Sequence, residues 1–599
     1  MMGGQFGISL LMVVALAWPL LVCLSVPLRR WGLSGPTMRY LDLLWLSAPW
    51  PALGLAYLGH GQMVFEGWIF GAYWELGNIS RPWLAFTALL WTMAGFHARG
   101  YLAAEQRRAE RGDSEAQRHL FRLALLWPLT LAGNLLLVVA QDIASFYLGF
   151  AVMTFAAYGL VVHSEKPEAI LAARVYLIMA MLGEALILGG LMWAAGANQA
   201  LTLEEVRSAI ATADNGAAMA LLLWLGFGVK AGIVGLHVWL PLAHPAAPAP
   251  ASAVLSGAMI KAGLLGWINV LPLGELNLSP ALIQLGEAML VSGMVAAFGA
   301  ALYGVMQRHP KAVLAYSSIS QMGMLTAMVG SGLADAAAWA LLWPALVLFA
   351  AHHALAKGAL FMGTSISEHL PRWPVIVIWG LLALPGLSLA GALGSGLIAK
   401  WSVKTALHEA HHDQLVTLLT WATVGTTALV SVALWRQWQQ RHGGGESDGE
   451  RWQQGGWLGA VVAALVVPLW LPLSSIGMSL PSMKELPGLI WPLPVGIVMT
   501  WAGLWLWRGN NRAISAPAGD LWWGYVALLR LGTKPCRVTL TTIMRVKAAG
   551  KARALEAERR IMAKLAFMLK EEAWMRHHTA GLMMALALCF AMLLALSAI

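Results

Sequence analysis

The sequence predicts an all-α, polytopic membrane protein with roughly sixteen spans. Apolar residues make up 59% of the 599 residues and charged residues only 11%, where a soluble chain carries roughly 25% charged. The 31 Trp, 29 Met and 62 Gly add more apolar surface than a soluble interior of this length can hide. Apolar runs of about 20 residues recur, each long enough to cross ~30 Å of hydrocarbon, and the strand alternation of an outer-membrane barrel is absent.

The runs fall near 7–27, 38–59, 82–102, 121–141, 143–163, 171–195, 216–242, 250–273, 281–306, 312–331, 337–366, 374–404, 414–436, 455–475, 488–507 and 579–598. The first lacks a basic leader and is followed by Arg29 and Arg30, so it reads as a retained span rather than a signal peptide. Arg29, Arg30 and Arg39 follow span 1. Arg99, Arg107, Arg108, Arg111 and Arg118 follow span 3, and Lys166 and Arg174 follow span 5. Basic loops stay in the cytoplasm, so the N-terminus is expected outside. The formal charge of +10 belongs to such loops and implies no nucleic-acid partner.

Two polar stretches interrupt the pattern. Arg436 to Arg451 holds Gly443, Gly444 and Gly445 and reads as a flexible loop. Residues 508–577 become amphipathic after Pro535, with Met544, Leu555, Ile561, Met562, Leu565 and Leu569 among Arg545, Lys547, Lys551, Arg559, Arg560 and Lys564. Some 40 helical residues would reach about 60 Å. A helix this basic should lie on the cytoplasmic face, as a lipid-surface helix or as a strap across neighbouring subunits. Cys23, Cys536 and Cys589 lie far apart and form no metal-spaced cluster. There is no Walker A, no GxGxxG after a strand and no CxxC or CxxCH. No cofactor is expected, and any redox chemistry would lie in partner subunits.

Charged groups at bilayer depth cost at least ~2.5–3.5 kcal/mol each, so each needs a reason. Lys230 precedes His237 and His244, with Pro241, Pro245, Pro248 and Pro250 close behind. Prolines and glycines this dense break a helix, and broken backbone at such depth belongs around a cavity or within protein. Lys261 lies mid-span. His353 and Lys357, four apart, share a helix face beside His352. Lys400 follows a second Pro/Gly interruption at Pro385 and Gly386, and Glu184 sits in YLIMAMLGEALILGG. Tyr316, Ser317, Ser318, Ser320 and Gln321 add hydroxyls and an amide. One such lysine could snorkel, and one such histidine could be a hydrogen-bonded core residue. Ionisable groups on at least four spans point instead to a hydrated proton path, since desolvated lysines and histidines exchange protons near neutral pH.

These residues also carry a family likeness. KAGIVGLHVWLPLAHPAAPAPASAVLSGAMIKAG and KAVLAYSSISQMGML resemble the antiporter-like proton-translocating subunits. That family includes the large pumping subunits of respiratory complex I, Mrp cation/proton antiporter subunits and the membrane subunits of hydrogenase-4 and formate hydrogenlyase. The wording is most similar to the hydrogenase-4 branch, over about residues 120–405. The resemblance implies about fourteen core spans holding two inverted five-helix repeats at 121–273 and 281–436, each with one broken helix, near Pro241 and near Pro385. Residues 1–120 would be N-terminal spans, 455–507 additional spans, 508–577 a lateral helix on the cytoplasmic side, and 579–598 a last span. It further implies that Lys230 is the lysine of the first broken helix and Lys261 the central lysine. His353 and Lys357 would be bridging residues, and Lys400 would end the second broken helix. One departure stands out. The family pairs the first lysine with a glutamate in the fifth span, but FYLGFAVMTFAAYGL places Ala151 there. Glu184, one span on, is the candidate substitute.

A reading of another class comes from His408, Glu409 and His412, which spell HExxH in TALHEAHHDQL. Two histidines at i and i+4 can share a zinc, as in a metalloprotease. The motif falls at the external end of a span with no third-ligand motif downstream, so a surface histidine cluster near a proton exit is preferred. The expectation is therefore a non-catalytic pumping subunit in a bacterial inner membrane. It would move protons, with sodium as the alternative ion, and be held among lipid and other membrane and peripheral subunits. Its complex would be redox-driven, of the complex I or hydrogenase-4 type. The alternatives are an Mrp-type cation/proton antiporter subunit or the energising partner of another uptake system.

Overall fold

The computed structural model describes residues 2–26, 42–65, 71–368, 373–441, 450–472 and 480–508, then 517–519, 521, 524 and 525. The expected lateral helix beyond residue 525, the last span at 579–598, Cys536, Cys589 and the Gly443–Gly445 stretch lie outside them. Among the described residues, eleven helices are long and apolar enough to cross a membrane.

Polar caps mark where the apolar helices begin. Asp113 accepts from the amides of Glu115 and Ala116, Asp142 from Ser145 and Ser279 from Leu282. Each satisfies amides that a helix start leaves without partners. The expected span at 38–59 is not one continuous helix. A turn at 47–49 interrupts it, and Pro51 opens the short Trp50–Leu55 helix. All-α has one exception, a hairpin of Gly61–Phe65 antiparallel to Ala72–Leu76. Tyr73 N–H donates to Asp142 Oδ2 at 2.9 Å and ties the hairpin to a helix start.

Two runs of five spans follow. The first holds Ser114–Val139, Ile143–Val161, Pro167–Asn198, a broken helix of Gly216–Ala231 and Leu240–Ala246, and Ala249–Val270. The second holds Pro280–Gly304, Pro310–Ala334, Ala336–Glu368, a broken helix of Val375–Leu389 and Gly394–Glu409, and Asp413–Gln440. The two runs repeat one order of five spans, with the fourth broken in each. In both units the first two helices touch backbone to backbone at glycines. A Cβ on Gly149 would meet Gly133 O at 2.9 Å, and one on Gly323 would meet Gly293 O at 2.5 Å. Small residues suit this surrounding, where lipid offers no hydrophobic drive for helices to pair.

The breaks lie beside the expected prolines, not at them. The first spans residues 232–239, where Gly232 and Gly235 have φ of 78° and 87°. Pro241 instead sits in the first turn of the helix that follows, where its missing N–H costs nothing. Pro385 lies inside Val375–Leu389, and the second break follows at 390–393, with Gly391 at φ 73°. Proline fixes a φ that helices tolerate, whereas these reversals need the left-handed backbone that glycine adopts without strain. A π-helical turn, Leu255–Met259, interrupts the last helix of the first unit just before Lys261.

Candidate functional site

Lys230 stands one residue before the first break and is 4% exposed. Its ammonium donates to Thr154 Oγ1 at 3.2 Å and to the Tyr176 hydroxyl at 3.0 Å. Tyr176 in turn donates to Thr154 O at 2.7 Å. The Tyr176 and Trp239 rings lie 5.2 and 5.9 Å from Lys230 Nζ, close enough for cation–π attraction. Trp239 Nε1–H donates to Val229 O at 2.8 Å and covers the open helix end.

Glu184 is buried two turns beyond Tyr176 on the same helix. Neither carboxylate oxygen has a hydrogen-bond partner. The group faces the Thr154 hydroxyl and lies within electrostatic reach of Lys230. Backbone contact sets this proximity. A Cβ on Gly183 would meet Gly226 O at 3.1 Å, and one on Gly226 would meet Ile187 N at 2.8 Å. Ala151 lies one turn before Thr154, on the helix that touches Lys230.

Past the break, His237 Nδ1 pairs with Ile233 O at 3.3 Å, and its ring meets Tyr316 edge-on at 6.4 Å. His244 is fully buried and stacks on Phe361 at 4.4 Å, with neither ring nitrogen hydrogen-bonded. Lys261 is also fully buried. The π turn leaves the Ser256 carbonyl open, and Lys261 Nζ donates to it at 2.8 Å. Ser256 and Ser318 share a hydroxyl hydrogen bond of 2.7 Å. Ser318 donates to Leu314 O at 3.1 Å, and the Lys357 ammonium reaches that same carbonyl at 2.8 Å as well as the Ser317 hydroxyl. Lys261 and Lys357 thus converge on one serine cluster: Ser256 meets Lys261 through its carbonyl and Ser318 through its hydroxyl, and Ser318 and Lys357 share the Leu314 carbonyl.

His353, one turn before Lys357, has no partner on either ring nitrogen and lies within electrostatic reach of both lysines. His352 points the other way. Its Nδ1 faces Ala464 O at 3.4 Å, and it lies within electrostatic reach of Lys400 and Lys261. Lys400 is only partly buried. Its ammonium donates to Thr423 Oγ1 at 3.1 Å and folds over Gly391, where a Cβ would come within 2.9 Å of Nζ. Ser320 stands apart from the serine cluster and donates to Ala297 O at 2.7 Å.

Three participants have no clear sequence signal. Thr154 and Tyr176 read as ordinary span residues, and Lys311 opens a span where a snorkelling lysine is commonplace. Lys311 is 7% exposed, and its ammonium donates to Ala247 O at 3.0 Å. The HExxH reading fails on geometry. The helix carrying His408 ends at Glu409, and His411 has φ 60°, so His412 does not lie one turn above His408. His408 pairs with Asp413 at 2.6 Å and His412 with Asp335 at 3.1 Å, each with its own carboxylate.

Buried ammonium and imidazole groups with hydroxyls among them are the titratable inventory that a proton relay uses. The fold and these groups define a class: a multi-pass membrane protein with paired broken helices. Residues 140–426 match the family described as NADH:quinone oxidoreductase/Mrp antiporter, TM. An uncharacterized protein of Mycobacterium tuberculosis is 31% identical over 407 residues, covering 62% of this chain and 59% of its own. Hydrogenase-4 component B of Escherichia coli is 26% identical over 325 residues, covering 51% of this chain and 47% of its own. The chain therefore spans less than two thirds of these relatives. The Mrp complex of a Dietzia species superposes with a TM-score of 0.64 at 19% identity, over 87% of this chain and 60% of that one, and shares the fold.

Proposed function

We propose that this chain is a proton-translocating subunit of a larger ion-pumping complex, redox-driven and of the complex I or hydrogenase-4 type. Protons would pass between Glu184 and Lys230, by His237 and Tyr316 to Lys261, through Ser256, Ser318 and Ser317 to Lys357, then by His353 and His352 to Lys400. His244 would stand beside the centre of this row. The observation that carries this is the pair of fully buried lysines, Lys261 and Lys357, converging on the Ser256, Ser317 and Ser318 cluster. The match of residues 140–426 to that family supports it. The division into inverted units at 121–273 and 281–436 is part of the same reading and is supported by the repeated pattern of five spans with the fourth broken. So are the placement in a bacterial inner membrane with an external N-terminus, the cytoplasmic lateral helix and the association with other subunits and lipid. The fold shared with an Mrp complex favours a second reading, an Mrp-type cation/proton antiporter subunit.

The test is purification of the intact complex and its reconstitution into vesicles. Proton uptake driven by electron transfer, with redox subunits co-migrating, is expected. Uptake driven by a sodium gradient, with no redox partner, would select the second reading.

A further inference from the structure

We propose that Lys311 is the residue through which the Lys261–Lys357 pair exchanges protons with the aqueous face bearing Glu368, with His244 as the relay between them. This rests on the proton-translocation reading above.

The geometry begins at a junction. The Leu240–Ala246 helix ends at Ala247, and Pro248 opens the next. A carbonyl at such a junction lacks the amide partner that a continuous helix supplies. Lys311 fills that place, with its ammonium 3.0 Å from Ala247 O. An ammonium has three donors, and Ala247 O takes one. Its backbone N–H is occupied by His309 Nδ1 at 3.1 Å.

Titratable groups flank Lys311 on both sides. Towards the membrane face stands Glu368, the partly exposed last residue of Ala336–Glu368 and within electrostatic reach of Lys311. Towards the interior stands His244, one turn before Ala247 on the broken segment. Its two ring nitrogens are unpartnered, and it lies within reach of Lys311, Lys261 and Lys357 at once. His309 is a further titratable neighbour among the described residues. A proton taken from water at Glu368 would convert the Lys311 amine to ammonium. Its transfer would leave the amine and create an imidazolium at His244. A neutral Lys261 or Lys357 would then accept it and restore the imidazole. Because the same ammonium holds the Ala247 carbonyl, loading Lys311 also tightens the junction, and unloading it loosens the break beside His244.

The experiment uses the intact complex in proton-tight vesicles, with Lys230→Ala as reference. Lys311→Gln keeps a donor for Ala247 O but carries no exchangeable charge. It should assemble normally and lose translocation by about tenfold or more, the size of a missing proton carrier, while Lys311→Arg keeps the hydrogen bond without restoring the rate. Lys311→Gln translocating at the wild-type rate, while Lys230→Ala is silent, would overturn this inference and leave the broader reading standing. Lys230→Ala translocating normally would instead overturn the broader reading. If Lys311→Gln does not assemble, Lys311→His decides. A titratable imidazole should move the pH optimum towards acid, and an unchanged optimum would overturn the proposal.

Discussion

Lys230 and Glu184 lie on neighbouring helices whose backbones touch at Gly226 and Gly183, so the buried acid comes within electrostatic reach of the buried ammonium. Thr154 and Tyr176 stand at the ammonium itself, both as hydrogen-bond acceptors. The carboxylate has no hydrogen-bond partner of its own, an arrangement that leaves it free to respond when Lys230 changes charge.

Lys230→Ala is therefore expected to abolish proton translocation in reconstituted vesicles while the complex still assembles. Glu184→Gln removes only the charge and should slow translocation without stopping it. Vesicles that pump normally with Lys230→Ala would remove the lysine from the mechanism.

Separating the two helices should have the same effect from a distance. A methyl group on Gly226 would sit 2.8 Å from the Ile187 backbone nitrogen, which cannot swing aside. Gly226→Ala is expected to cost about 1–3 kcal/mol, typical of overpacking, and to lower translocation although no charged group is touched. Thermal unfolding of the purified complex reads the first effect and vesicle uptake the second. Unchanged uptake would mean that Glu184 need not stay close to Lys230.

Much of this site is legible in the sequence, because a lysine in an apolar run is costly wherever it sits. Lys230, Lys261, Lys357 and His353 stand out on that ground alone. The positions of the breaks are less legible. Proline density marks the region, but positive φ at Gly232, Gly235 and Gly391 decides where the helix stops. Thr154 and Tyr176 are hidden because one-dimensional spacing does not show which helices touch. Lys311 is hidden for a different reason: near a span end, a buried ammonium and a snorkelling one look alike until a tertiary acceptor such as Ala247 O is seen.

A second titratable cluster lies outside the spans, on the face with the basic loops. Glu105 receives His119 Nδ1 at 3.1 Å and His163 Nε2 at 3.2 Å, fastening the short Ala103–Glu110 helix to its neighbours. Burial pushes the Glu105 carboxyl up, but the hydrogen bonds and charge of His163, then of His119, outweigh it and leave the group below the ordinary glutamate range. A carboxyl lowered on folding stabilises the fold above its unfolded value, and that contribution disappears as pH falls through the lowered value. Amide exchange over 103–112 should accordingly be slow at neutral pH and lose protection only as pH falls below the ordinary glutamate range. Glu105→Gln should raise exchange already at neutral pH, by the roughly 1.5–3 kcal/mol of a hydrogen bond to a charged group. Equal protection in the variant would show that the helix is held by other contacts.

The last prediction concerns the acid missing from Ala151. Ala151 is one turn before Thr154 on Ile143–Val161, and Thr154 already contacts Lys230. Residues three apart on a helix share a face, so a glutamate at 151 would project towards the same ammonium from the opposite side to Glu184. Two carboxylates on one lysine would compete, so Ala151→Glu alone should perturb translocation rather than improve it. Glu184→Ala alone leaves Lys230 without an acid and should be slower than Glu184→Gln, because it also empties a packed site. The double variant Ala151→Glu with Glu184→Ala restores one acid to one lysine, and its translocation rate should rise above that of Glu184→Ala. The comparison is made in vesicles at equal complex content, across pH. If the double variant is no faster than Glu184→Ala, Glu184 does more than supply a negative charge, and its place on Pro167–Asn198 becomes part of the mechanism. If Glu184→Ala itself pumps at the wild-type rate, Lys230 works without an acidic partner, and the carboxylate is a buried bystander.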